Sequence, residues 1–332
     1  MKSPKIEDGS FLITGGANLI GSHIAEVLLT RGAKKIVIFD NFYFGPASNL
    51  DDIFADSRVE LVRGDVMRLD QLLAACQGMD GLFSMAALLT APLAKDPLTG
   101  MRVNIEGLIN QFEACRFAGV KKLVLASSIA VYGAPTETLQ SESDPWVPRD
   151  LTPPFAMYSL TKRMGEQIGR YYTKTYQVNY SATRFSTVYG ERQHERGVNT
   201  LAIPRAIKSV GEGRSPELAG GGHDAHDYIH ARDVALGTLA AMERGVAGES
   251  YNICSGVSST TRQVVQLVIE AMGSTLPIID VEDTRSDRGT IERSLNMDIS
   301  KAKRELGWAP EVALNEGVKN LVKWYEVNNA GS

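Results

Sequence analysis

Apolar residues fall along the first half of the chain in two alternating rhythms. Short runs rich in β-branched and aromatic residues read as strands: FLIT (11–14), KIVIFD (35–40), VELVRGD (59–65), GLFSMAA (81–87), KLVLASS (122–128) and YSATRF, which ends at Phe185. Helical spacing separates them. Ile20, Ile24, Val27 and Leu28 mark one helix, and others are predicted over 70–76, 103–117 and 155–175. Arg31-Gly32 and Gly119 stand where helix C-termini need a residue of left-handed backbone. Strands that are apolar almost throughout, alternating with helices, predict an α/β fold built on a doubly wound parallel sheet of about six strands.

The second half has a different pattern. VNTLAIPRAIKSVGEG, TTRQVVQLVIEAM and ISKAKRELGWAP read as separate short helices, the second opened by a capping box of Thr260 with Gln263, the third stopped by Gly307 and Pro310. DYIHARDVALGTLAAMERG and SYNICSG read as a strand, a helix and a strand that return to the main sheet. The expected organisation is a dinucleotide-binding domain over 1–190, rejoined by 226–256, and a smaller, discontinuous C-terminal substrate lobe within 191–330.

Composition narrows the function classes. The 332 residues are 43% hydrophobic and 22% charged, enough for a large core, and the net charge of −4 is spread without a basic stripe, so nucleic acid is not an expected partner. No apolar run approaches the ~20 residues of a membrane span and the first ten residues are polar, which predicts a cytoplasmic protein with no membrane partner. Cys76, Cys115 and Cys254 are few and widely spaced, read as core thiols of a reducing compartment. His223, His226 and His230 lie close together but are not read as metal ligands; no metal is expected.

Chemistry enters at the first turn. A strand passing through Gly15-Gly16 into a helix that contains Gly21 points free backbone N–H groups and the helix dipole at a pyrophosphate site. Asp40 closes the second strand at the spacing expected of a ribose-binding carboxylate, and Asn41-Phe42-Tyr43 beside it holds no arginine for a 2′-phosphate, so NAD is the expected cofactor. The second constellation is YSLTK. Four residues apart on one helix face, Tyr158 and Lys162 suit a phenol whose ionisation is favoured by a neighbouring ammonium, and Ser128, at the end of KLVLASS, can hydrogen-bond the same substrate oxygen.

Together with ITGGANLIGSHI, DNFYFG, RGDV, VNIEGLINQFEA, SSIAVYG, RFSTVYG, HDYIHARDVA and DISKAKRELGW, these motifs resemble the extended short-chain dehydrogenases/reductases of the NAD-dependent epimerase/dehydratase group, over nearly the whole chain. The resemblance implies a Rossmann-type domain with Asp65-Val66 at the adenine, Ala86-Ala87 lining the cofactor cleft, Asn104 bracing the site, and Ser128, Tyr158 and Lys162 as the catalytic set. Leu19, Ile20, Asn41 and Phe185 complete the implied cofactor contacts. Asn18 takes the place of a turn glycine, and its tolerance of left-handed backbone is expected to preserve the turn.

Departures from the family pattern bear on the reaction. The sugar-nucleotide 4,6-dehydratases carry Thr-Asp-Glu where this chain has Ser128-Ile129-Ala130, and decarboxylating relatives keep a glutamate where Ala130 stands, so both branches are disfavoured. The arginine expected to meet a diphosphate is His226, and an expected asparagine is Thr187; Arg285 is expected to match a second family arginine, and Arg192, Arg196 and Arg205 are candidates to compensate. Ser84 replaces a histidine usual in relatives. Thr90, Ser128, Ile129, Thr187, Arg192, His226 and Arg285 form the expected substrate set. The first reading is an NAD-dependent sugar epimerase, at C4 of a nucleotide-sugar; the alternative is an NAD-dependent dehydrogenase of a smaller substrate. A cofactor-bound binding protein is disfavoured by the intact Ser-Tyr-Lys set. Relatives pair through a four-helix bundle, so a homodimer through the helices over 103–117 and 155–175 is expected.

Overall fold

The computed structural model describes residues 2–134, 139–148, 151–193, 202–282 and 296–329. Among these residues twelve strands run in chain order as β1 (Ser10–Thr14), β2 (Lys35–Asp40), β3 (Val59–Arg63), β4 (Gly81–Ser84), β5 (Lys122–Ser128), β6 (Tyr180–Phe185), β7 (Thr187–Tyr189), β8 (Glu217–Ala219), β9 (Ala225–His230), β10 (Ser250–Ile253), β11 (Ser258–Thr260) and β12 (Ile279–Val281). Seven form one sheet in the order β10-β6-β5-β4-β1-β2-β3, every neighbouring pair parallel.

Both faces of that sheet are covered, which is why its strands lack the polar alternation of a half-exposed sheet. Phe11 and Ile13 point to one side, against Ile24 and Leu28 of the Leu19–Thr30 helix and Leu239 and Met242 of the Ala231–Arg244 helix. Leu12 points to the other, joining Leu72, Leu108, Phe112 and Tyr172 from three further helices. Chain direction across the sheet reverses between β1 and β4, so the loops after these two strands separate and leave a crevice at their carboxyl ends.

A second lobe packs Val264, Val268, Ile203, Ile207, Val318 and Leu321 of three helices around Tyr189 and Tyr228. Of the strand, helix and strand expected to return to the main sheet, the Ala231–Arg244 helix covers it and β10 joins it beside β6. β9 instead lies between β7 and β11 in a three-stranded sheet. It carries His226, Asp227 and His230, polar groups that a sheet covered on both faces would strand without partners, whereas here the Asp227 carboxylate accepts bonds from Ser186, Ser255 and Gly256. The capping box forms as read: Thr260 Oγ1 accepts from Gln263 N–H and Gln263 Oε1 from Thr260 N–H. All three cysteines are buried and free, and no helix among the described residues is long and apolar enough to cross a membrane.

Candidate active site

The turn after β1 is built for close backbone approach. Gly15 has φ +67°, open to glycine at little cost, and a Cβ on it would stand 2.8 Å from Ala86 N in the loop after β4. At Gly21 a Cβ would lie 2.5 Å from the Gly15 carbonyl oxygen and 2.6 Å from Gly16 Cα, so the helix can pack on the turn only without a side chain there. Asn18 is extended (φ −82°, ψ 171°), which corrects the left-handed expectation: any L-residue can adopt this backbone, so asparagine replaces a glycine without strain. Its side chain does not cap the helix, and the first turn, where Leu19 and Ile20 lie, holds no acidic residue. The first N–H groups and the positive end of the helix dipole are left for an anion.

Asp40, buried at the end of β2, braces this turn. One carboxylate oxygen accepts from Ala17 N–H (3.0 Å), the other from Phe42 N–H (2.7 Å), and burial raises its pKa against the opposing pull of these bonds. The carboxylate keeps acceptor capacity for a ribose hydroxyl. Asn49 Nδ2 donates to the Ala17 carbonyl at 2.8 Å, a bond no sequence signal announced because Asn49 sits in an irregular turn. Asn41 is exposed and accepts from Tyr43 N–H; Asp65, half-buried after β3, accepts from Met67 N–H, and the carbonyl of buried Val66 accepts from Asn110. The turn, the aspartate and the crevice fit NAD.

Across the crevice, the 24-residue helix Pro153–Tyr176 presents Tyr158 and Lys162, both under 10% exposed. The Ser128 hydroxyl lies near enough to the Tyr158 phenol to oppose the effect of its burial, and accepts from Ala130 N–H at 3.1 Å. Lys162 Nζ donates to the Ala126 carbonyl at 2.8 Å and sits 5.7 Å from the centre of the Tyr158 ring, so it acts on the phenol through its field. Burial pushes the Tyr158 phenol up to about 12, with Ser128 opposing, and the Lys162 ammonium down to about 8, with Glu166 opposing. Asn104 ties the N–H and carbonyl of Leu88 to the Thr161 hydroxyl from inside a π-turn, Arg102–Glu106, that interrupts the predicted continuous helix. Ser84, Ala86, Ala87, Asn104, Thr161 and Lys162 line one hollow, so the residues implied for the cofactor cleft stand beside Lys162; Phe185 is buried at the end of β6.

The expected substrate residues are more dispersed. Thr90 opens the Thr90–Lys95 helix, Ile129 begins the turn after β5, and Thr187 pairs with Tyr228 between β7 and β9. The His226 Nε2 is 2.9 Å from the Asp224 carboxylate, so an acidic group accompanies the imidazole. Arg192 is buried against the Leu19–Thr30 helix, 2.8 Å from Glu26 and 3.6 Å from Asp52; its charge is committed there, a placement its sequence neighbourhood did not predict. Arg205 is exposed, and Arg196 and Arg285 lie outside the described residues.

The family model described as the NAD dependent epimerase/dehydratase family matches residues 11–254. A UDP-glucose 4-epimerase of Mycolicibacterium smegmatis is 31% identical over 320 residues, 95% of this chain and 97% of that protein. The UDP-glucose 4-epimerase of Thermotoga maritima, solved with UDP-glucose, superposes with a TM-score of 0.85 at 26% identity, covering 96% of this chain and 99% of that one. A dTDP-glucose 4,6-dehydratase of Streptomyces venezuelae, solved with NAD and TYD bound, gives 0.86 at 28% identity over 97% and 98% of the two chains. With its glycine turn, its buried Asp40 and its Ser128–Tyr158–Lys162 set, the chain is an NAD-dependent enzyme and belongs to the NAD-dependent epimerase/dehydratase family.

Proposed function

We propose that this enzyme epimerises a nucleotide-sugar at C4 through a keto intermediate, with Tyr158 as the base. The observation that carries the reading is a complete Ser128–Tyr158–Lys162 set with aliphatic residues at the two positions after Ser128: Ile129 and Ala130 fill them, and Ala130 is buried. Elimination of water needs a further acid and base, which aliphatic side chains cannot supply. Two relatives that carry a UDP-glucose 4-epimerase name, matched over 95% and 96% of this chain, support the same choice.

Tyr158, as phenolate, takes the proton of the C4 hydroxyl, and Ser128 hydrogen-bonds the same oxygen. NAD, when bound, contributes a positively charged ring and accepts then returns the hydride. Lys162 holds its charge near the phenol, which burial alone would keep protonated, and low exposure keeps water from competing for the proton. Return of the proton from Tyr158 to the same oxygen restores the enzyme once the keto sugar has turned its other face.

A dehydrogenase acting on a smaller hydroxyl is the second reading, favoured by His226 paired with Asp224 and Arg192 paired with Glu26, which leave less free positive charge for a diphosphate. Incubation with UDP- and dTDP-sugars, and separately with free sugars, uronates and hydroxy acids plus NAD, distinguishes the two. Interconversion of C4 epimers by NMR without net NADH supports epimerisation; NADH in proportion to product, with no interconversion, overturns it.

The working unit is proposed to be a homodimer. Met157, Leu160, Met164 and Tyr171 are each more than a third exposed and form a stripe at helical spacing on Pro153–Tyr176, beside a hollow lined by Ile109, Ile168 and Tyr171. Such a stripe is costly in water, and a second copy of it, related by a two-fold axis, covers it.

A further inference from the structure

One carboxylate of the catalytic helix faces inward. Glu166, 3% exposed, lies one turn beyond Lys162, so Tyr158, Lys162 and Glu166 share a single face at spacings of four. Three successive residues of β5 meet that face. The Ala126 carbonyl holds Lys162, the Ser127 hydroxyl donates to Glu166 Oε1 at 2.7 Å, and Ser128 lies near the Tyr158 phenol. Arg184, immediately before Phe185 on β6, donates a two-pronged bond to both oxygens of Glu166, each prong 2.8 Å, and Ser250 of β10 donates to Oε2 at 2.9 Å.

All the lone pairs facing the protein are used, and the outer guanidinium nitrogen of Arg184 continues to the Tyr132 hydroxyl and the Glu142 carbonyl. Against the pull of burial, Arg184 and the two serines hold the Glu166 carboxyl below its usual range, so it is ionised. A buried ion pair is a poor device for stability alone, because apolar residues of the same volume do as well or better. What it supplies is direction: a planar fork and fixed donors tolerate little displacement.

We propose that Glu166 is a positioning residue for the Tyr158–Lys162 pair, gripping the end of β5 through Ser127 and of β6 through Arg184 so that Ala126 and Ser128 keep their register on the catalytic helix. This rests on the reading of Tyr158 as base. The charged and titratable groups around the grip are Tyr158, Lys162, Arg163 and Arg170 on its own helix, Tyr180 and Arg184 on β6, Tyr132 after β5, and Glu142.

Glu166→Gln would leave Arg184 buried without its counter-charge, so milder variants test the point. Ser127→Ala and Ser250→Ala each delete one donor to the same carboxylate from a residue 2% exposed, but only Ser127 adjoins a catalytic residue; β10 carries none. For Ser127→Ala, kcat is expected to fall about tenfold, with KM within about twofold, and the acid limb of the kcat–pH profile to move up by about half a unit, since a displaced Lys162 favours the phenolate less. Ser250→Ala should leave kcat and the pH profile within about twofold of wild type at a similar loss of melting temperature. Equal effects of the two variants, or an unmoved pH profile in Ser127→Ala, overturn the proposal. If wild type interconverts no sugar, the functional reading has failed; phenolate titration of the NAD complexes by ultraviolet difference against Tyr158→Phe then decides the positioning question, an unshifted Tyr158 in Ser127→Ala sinking it.

Discussion

At the scale of single residues, chemistry depends on where burial and hydrogen bonding push a group. Tyr158 is a phenol held up to about 12 and Lys162 an ammonium held down to about 8, both by burial, so neither is poised for proton transfer by solvent exposure; they depend on each other and on the bound cofactor's charge. Tyr158→Phe removes only the hydroxyl. Turnover is expected to fall by about 10²- to 10⁴-fold or beyond detection, with circular dichroism and NAD affinity, measured by calorimetry, nearly unchanged. Unchanged turnover would remove Tyr158 as the base. YSLTK and Ser128 were legible as a set because their types and spacing are chemistry in themselves. Glu166, Arg184 and Asn49 were not, since each draws its meaning from a partner far away in the chain: Arg184 is 18 residues from Glu166, and Asn49 is 32 from Ala17.

At the scale of elements, the strand–turn–helix at the start of the chain is the best-specified unit, because its glycines are demanded by contacts made within itself. Gly21→Ala places a methyl 2.5 Å from the Gly15 oxygen, and the helix must move off the turn to admit it. A destabilisation of about 1–3 kcal/mol is expected, read as a lower melting temperature, together with a loss of NAD affinity of at least about tenfold by calorimetry. An alanine variant that binds NAD as wild type does would show that the helix N-terminus does not hold the pyrophosphate. Periodicity also located the helix containing Asn104 but could not see its π-turn, where one widened turn carries Asn104, bonded to Leu88 and Thr161. The same blindness misassigned β9: a short polar-bearing strand has no local mark of which sheet it will join.

At the scale of the whole molecule, one apolar face of the catalytic helix is left outside the core. Leu160, 37% exposed, lies in the middle of the stripe. Leu160→Glu is expected to shift the proposed dimer to monomer in sedimentation or light scattering at micromolar concentration, since a two-fold axis brings two carboxylates together, with little change in the far-ultraviolet spectrum. A wild-type protein that is monomeric under the same conditions would refute the dimer outright.

The order of strands and helices, the glycine turn proposed to hold a pyrophosphate, the aspartate proposed to meet a ribose and the Ser-Tyr-Lys set proposed for the chemistry were legible in the sequence itself, because each rests on spacings of a few residues: two for a strand face, four for a helix face, a glycine where no Cβ fits. Tertiary structure decided the rest. Only the packed chain shows that Asn18 is extended, that Arg192 answers Glu26, that His226 answers Asp224, and that Glu166 grips β5 and β6 together. The Arg192 and Glu166 contacts join polar groups distant in sequence, and their energy comes from burial and geometry that exist only once the sheet and its covering helices have closed around them.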